Sequence, residues 1–134
     1  METSSADWRL DHFVLTVKDI QVTREFYSRV LGIGSEYFGN GRVALRIGGQ
    51  KINLHQAGLE VAPFAGHPTP GAGDFCLITS EPLQGVAERI RACRVEIVEG
   101  PVRRTGAAGP IRSLYLRDPD GNLVEVANSL GEEG

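Results

Sequence analysis

The feature that most restricts how this chain can fold is that one order of elements occurs twice in it. From Leu10 to Val17 apolar and polar residues alternate in a run rich in β-formers, which predicts a strand. Asp19 follows as a helix cap. Ile20, Thr23, Phe26, Tyr27, Val30 and Leu31 then share one face at helical spacing, and Gly32 ends the helix. Three short strands come next, at about Ser35–Phe38, Arg42–Ile47 and Lys51–His55, with glycine-rich turns between them. Residues 58–72 hold three prolines and several glycines without periodicity and read as a linker.

After the linker the order recurs. Asp74–Thr79 reads as a strand. Pro82 opens a helix at its first position, capped by Ser80 or Glu81, with Leu83, Val86, Ala87 and Ile90 on its apolar face. Val95–Val98 and Ile111–Arg117 read as strands separated by a Gly/Arg loop. The turn Asp118-Pro119-Asp120-Gly121 leads into Leu123–Ala127. His12-Phe13-Val14-Leu15 superposes on Asp74-Phe75-Cys76-Leu77, and Ile52-Asn53-Leu54 on Val124-Glu125-Val126. The chain is therefore expected to be one α+β domain over residues 1–134. It consists of two βαβββ modules, at about 9–57 and 73–128, forming a curved mixed sheet around one cavity. Residues 1–8 are expected to be frayed until Trp8.

Strand parity sorts the polar residues. Phe13, Leu15 and Val17 oppose His12, Val14 and Thr16. Ile52 and Leu54 oppose Asn53 and His55, Phe75 and Leu77 oppose Asp74 and Cys76, and Val124 and Val126 oppose Glu125. The bulky set suits burial under a helix. The other face gathers His12, Asn53, His55, Asp74 and Glu125, with Arg46, Tyr115 and Arg117 as neighbours. Matching positions in two modules suggest two faces around a polar cavity.

Composition excludes several classes. The net charge of −3 comes from mixed acids and bases, and Arg103-Arg104 is too short a run for a nucleic-acid patch. No segment approaches the roughly 20 apolar residues of a membrane span, nor is there an N-terminal apolar run of signal-peptide length, so a cytoplasmic protein is expected. Cys76 and Cys93 lack metal-type spacing and are expected to be free thiols. The glycines around Gly106 and Gly109 match no phosphate-binding loop.

Three stretches carry a resemblance: His12-Phe-Val-Leu-Thr-Val-Lys-Asp, Phe26-Tyr-Ser-Arg-Val-Leu-Gly and Asp118-Pro-Asp-Gly-Asn-Leu-Val-Glu125. Over roughly Trp8–Asn128 the chain resembles the vicinal oxygen chelate superfamily of glyoxalase, bleomycin-resistance and extradiol-dioxygenase proteins. Gln50–His55, His67–Gly71 and Gly100–Gly106 are similar to the glyoxalase domain-containing protein 5 group. In metal-using members of the superfamily, a divalent ion is held by residues of the first and last strands of the modules. The resemblance implies that His12, Asn53, Asp74 and Glu125 fill those slots here, and that the ion is Fe²⁺, Mn²⁺, Ni²⁺ or Zn²⁺. His12 and Glu125 match the pattern. Asn53 stands where Glu is frequent and is a weak ligand, and Asp74 stands where His is frequent.

The expected metal ligands are thus His12, Asp74 and Glu125, with Glu125 also the catalytic group that ligates or moves a proton. His55, Asn53, Arg46, Tyr115 and Arg117 are expected to bind substrate, the cations and the phenol through charge-assisted bonds. Each also has a plainer reading, as a strand histidine in a core hydrogen bond or a half-exposed sheet residue paired with an acid. The function the resemblance implies is a metal-dependent lyase, isomerase or dioxygenase acting on a small molecule with vicinal oxygens. The alternative is a metal-free drug- or toxin-binding protein of the bleomycin-resistance type. A homodimer is expected; nucleic acid and membrane are not expected partners.

Overall fold

The computed structural model describes residues 7–131. The expected fraying therefore lies mostly outside the described residues; within them, Trp8 is exposed.

The first strand, β1 (His12–Val17), begins two residues later than its alternation predicts. It runs parallel to β4 (Gln50–Gln56), with Val14 opposite Asn53 and Thr16 opposite His55. β3 (Arg42–Ile47) and β2 (Ser35–Phe38) extend the sheet antiparallel, giving the order β1-β4-β3-β2. Parity holds: Leu15, Val17, Ile52 and Leu54 are buried. They pack with the buried Phe26, Tyr27 and Val30 of helix α1 (Ile20–Leu31) in one core cluster. Fully burying side chains of this size stabilises by about 1.5–3 kcal/mol each. The α1 ends are as expected. Asp19 accepts the Val22 N–H at 3.0 Å, and Gly32, at φ 69, gives its own N–H to the Ser28 carbonyl at 3.0 Å.

The second module repeats this arrangement. β5 (Asp74–Ile78) runs parallel to β8 (Leu123–Ser129), and the order is β5-β8-β7-β6, with β7 at Gly109–Arg117 and β6 at Glu99–Gly106. Helix α2 (Leu83–Ala92) covers one face with Leu83, Val86, Ala87 and Ile90. Three expectations are corrected here. Residues 95–98 form no strand; the expected Gly/Arg loop is itself β6. Among the described residues it is an edge strand paired only with β7, which tolerates Pro101 at a register shift between Glu99 and Val102. Pro82 is the cap residue of α2 rather than its first helical position. Neither Ser80 nor Glu81 caps it: the Leu83 N–H is taken by Oδ1 of Asn128, on the last strand, at 2.9 Å.

The two sheets are separate ladders joined by side chains. Phe13 and Phe75 meet edge to face at 5.2 Å between ring centres, where β1 and β5 adjoin. Arg89 of α2 donates to the Val30 carbonyl of α1 at 2.9 Å and forms two bonds with Glu81. The Lys18 N–H reaches Asp120 in the turn before β8 at 3.0 Å. Consequently the helices share one side, and the strand faces turned away from them share the other.

Candidate functional site

That other face carries the polar residues that parity selected. On the first module it presents His12, Val14 and Thr16 from β1, Lys51, Asn53 and His55 from β4, and Arg42 and Arg46 from β3. On the second it presents Asp74 and Cys76 from β5, Glu125 from β8, and Ser113, Tyr115 and Arg117 from β7. The two halves match in register. His12 lies opposite Lys51 with Asn53 two residues further on, and Asp74 lies opposite Leu123 with Glu125 two residues further on. Each module therefore offers a diagonal pair of donors, His12 with Asn53 and Asp74 with Glu125.

The two stronger donors are anchored from behind. Nδ1 of His12 lies 2.8 Å from Oδ2 of Asp11. A carboxylate only accepts, so Nδ1 carries the hydrogen of this bond and Nε2 is the ring nitrogen turned away from it. That bond also holds the Asp11 carboxyl below the usual range. Oε2 of Glu125 accepts the Ser113 hydroxyl at 2.6 Å. A carboxylate behind an imidazole and a hydroxyl on a carboxylate are contacts of the kind that orient ligands where a metal is bound. Cys76 pairs with Glu125 across the ladder. Partial burial, then the neighbouring carboxylate, push its thiol up to about 11. Cys76 is thus a neutral thiol at physiological pH, on the exposed surface.

Asn53 is buried, and its Oδ1 has no hydrogen-bond partner. The Phe38 ring carries two cations, the Lys51 ammonium at 3.4 Å and the Arg42 guanidinium at 4.8 Å from its centre. Asp74 is exposed. The chemistry of these four donors, one imidazole nitrogen and three side-chain oxygens, fits a divalent ion. One chain does not assemble them. Among the described residues no three His, Cys, Asp or Glu side chains stand close enough to hold a metal, so His12, Asp74 and Glu125 remain distributed over the two modules.

The residues expected to bind substrate are dispersed. Arg46 is exposed, 3.2 Å from Glu36, and donates to the Gln50 carbonyl. Tyr115 stands opposite Glu125, with its hydroxyl accepting from Arg104 at 3.0 Å, and Arg104 continues to Glu99. Arg117 is exposed and donates to the Gly121 carbonyl. His55 is buried, opposite Thr16, and lines a cavity of about 470 Å³ between the first sheet and the linker. Burial, and after it the Arg42 charge, hold its imidazole below the usual range. Sequence reasoning passed over Asp11 and Ser113 as anchors and Phe38 as a cation platform. Asp11 was findable as the carboxylate adjoining His12, whereas Ser113 becomes a neighbour of Glu125 only once β7 and β8 are paired.

Comparison with known proteins brings the family into view. Residues 9–126 match the family model described as the Glyoxalase/Bleomycin resistance protein/Dioxygenase superfamily. The chain is 54% identical over 119 residues to the virulence protein STM3117 of Salmonella typhimurium, covering 89% of this chain and 83% of that one. The crystal structure of STM3117 superposes with a TM-score of 0.88 at 52% identity, over 91% of this chain and 97% of that chain. It is 47% identical over 119 residues to the glyoxalase domain-containing protein RDO1 of Mycosarcoma maydis, covering 89% of this chain and 67% of RDO1. A fosfomycin resistance protein, FosX of Listeria monocytogenes, complexed with Mn(II) and sulfate, aligns at 25% identity with a TM-score of 0.64, over 93% of each chain.

Proposed function

Because the chain belongs to the Glyoxalase/Bleomycin resistance protein/Dioxygenase superfamily, we propose that it is a divalent-metal-dependent enzyme acting on a small molecule with two adjacent oxygens. The observation that carries this reading is the anchoring of His12 on Asp11 and of Glu125 on Ser113, each leaving one donor atom open. The Mn(II) bound by FosX on the same fold supports an ion of this class. In this reading His12, Asn53, Asp74 and Glu125 hold the ion, which is iron, manganese, nickel or zinc. The bound ion supplies Lewis acidity toward an oxyanion.

The chain's own residues do the rest. Asp11 fixes the His12 ring so that Nε2 faces away from the carboxylate. Ser113 fixes Glu125, whose second carboxylate oxygen is left either to ligate the ion or, in place of ligation, to take a proton from the substrate and return it. Tyr115 adjoins Glu125, and its phenol, turned by Arg104, borders the place where the substrate reacts. The donor pairs of the two modules complete each other across two copies of the chain, so the working form is a homodimer. Mixing His12→Ala chains with Glu125→Ala chains tests this. In a mixed dimer one site keeps both intact halves, so metal binding lost in each variant alone returns on mixing. No recovery on mixing counts against a shared site.

A second reading, metal-free binding of a small molecule, is favoured by Asn53 and Asp74. Both stand in donor slots as weaker or harder ligands than the superfamily's frequent Glu and His.

A further inference from the structure

We propose that Lys51 and Arg42 form a subsite for a second anionic group, so that the molecule held at the donor pairs carries a carboxylate or phosphate tail beside its two adjacent oxygens. This rests on the proposed function and narrows its substrate class.

Charge pairing singles these two residues out. Among the described residues, the lysines and arginines that are half-buried rather than exposed are Arg24, Arg42, Lys51 and Arg89. Arg89 is bonded twice to the Glu81 carboxylate, and Arg24 donates to side-chain oxygens of Gln21, Ser35 and Tyr37. Arg42 and Lys51 have no such oxygen. The Arg42 Nη2 has only the Nε2 nitrogen of His55 at 3.5 Å, and among the described residues neither cation makes an ion pair. The Asp11 carboxylate, which the Lys51 charge reaches, is bonded to His12 instead. A charge that has given up part of its water needs an oxygen partner in return. Phe38 does not supply one. Its ring draws the Lys51 ammonium to 3.4 Å and the Arg42 guanidinium to 4.8 Å, but it carries no charge to neutralise either. The two cations are no further apart than those distances together, near enough for one anionic group to be drawn by both.

The subsite borders the donors. Lys51 lies opposite His12 on the β1–β4 ladder, and Asn53 follows it on the same face. Asn53 faces Ala44 of β3, and Arg42 is the neighbouring residue of β3 on that face. The two cations therefore stand on either side of the Asn53–Ala44 rung, where Ala44 offers only a methyl group and the Asn53 Oδ1 has no partner. An ion at Asn53 and a tail at Lys51 and Arg42 would touch neighbouring parts of one ligand.

The test measures calorimetric binding of three 2-hydroxy acids to the protein with and without added Mn²⁺. All three present two adjacent oxygens. 2-Hydroxyglutarate adds a carboxylate tail, 3-phosphoglycerate a phosphate tail and 2-hydroxypentanoate an uncharged one. At least one charged probe is expected to bind about tenfold or more tightly than 2-hydroxypentanoate, and the tighter of the two identifies the tail. Lys51→Met and Arg42→Met each remove most of that preference, Lys51→Arg keeps it, and Arg103→Met, an exposed change on β6, leaves it intact. The readout is a ratio between ligands on one protein, so loss of folded material does not imitate it. Failure of the metal reading shows separately: Mn²⁺ then raises the affinity of none of the three, and the ratio still decides the subsite. Equal affinities for all three probes, a preference that survives both Met variants, or saturable binding of neither charged probe would each overturn the proposal.

Discussion

The Tyr27 hydroxyl donates a 2.7 Å hydrogen bond to Oδ2 of Asp118, tying the helix of the first module to the turn before the last strand of the second. Both residues are buried, and Asp118 also accepts from the backbone of Asp120 and from the backbone and side chain of Asn122. Among the described residues this is a fully buried polar link between the halves. Because the acceptor is a carboxylate, Tyr27→Phe is expected to cost about 1.5–3 kcal/mol in denaturant unfolding.

The same pair gives an alkaline signature. Burial, reinforced by the Asp118 charge and hydrogen bond, raises Tyr27 above the usual phenol range. The folded chain therefore keeps a proton that the unfolded chain releases near pH 10. The contribution is complete below that pH and is lost as the pH rises above it. Melting temperatures measured across that range should fall less steeply for Tyr27→Phe than for the parent; equal slopes would show that Tyr27 is not the group responsible.

On the acid side the sign reverses. His55 is held below the usual histidine range by burial and then by Arg42. Its contribution is present above about pH 6.5 and declines as the unfolded chain takes up a proton that the folded chain refuses. His55→Gln is expected to flatten the decrease in melting temperature between about pH 7 and 5.

Asn128 takes the place of a local cap for α2, accepting the Leu83 N–H and donating to the carbonyls of Thr79 and Glu81. Asn128→Ala leaves all three groups short of a partner. A loss of about 1–3 kcal/mol is expected, read from chemical denaturation, with hydrogen exchange rising first in the first turn of α2.

Cys76 offers a probe of Glu125. In a Cys93→Ser background, alkylation at pH 8 should be slow even though Cys76 lies at the surface, since partial desolvation of its thiol and the Glu125 carboxylate keep it protonated. Glu125→Gln should accelerate the reaction several-fold. An unchanged rate would mean that the carboxylate does not act on the thiol.

Much of this architecture is legible in the residues. Alternation places Leu15, Val17, Ile52 and Leu54 beneath α1, and Asp19 and Gly32 bound that helix by local chemistry alone. Parity also puts His12, Asn53, Asp74 and Glu125 on one side of their strands. What escapes is set by partners distant in sequence. β6, with Gly100, Pro101 and two arginines, has no period of its own and becomes a strand because β7 folds back on it. The cap of α2 lies 45 residues away. Nothing in Pro63–Ala72 announces that the linker closes a cavity over His55. Nor does parity tell that matching donors in two modules stay apart within one chain.

The central claim is that these donors hold a divalent ion, and the direct measurement is metal content with thermal stability. Protein purified without chelators is assayed by elemental analysis and melted with Mn²⁺, Fe²⁺, Ni²⁺ or Zn²⁺, alongside His12→Ala and Glu125→Ala. The account predicts about one ion per chain and a raised melting temperature, both lost in either variant. No bound metal and no shift with any of the four ions, in protein whose variants melt as the parent does, would contradict it.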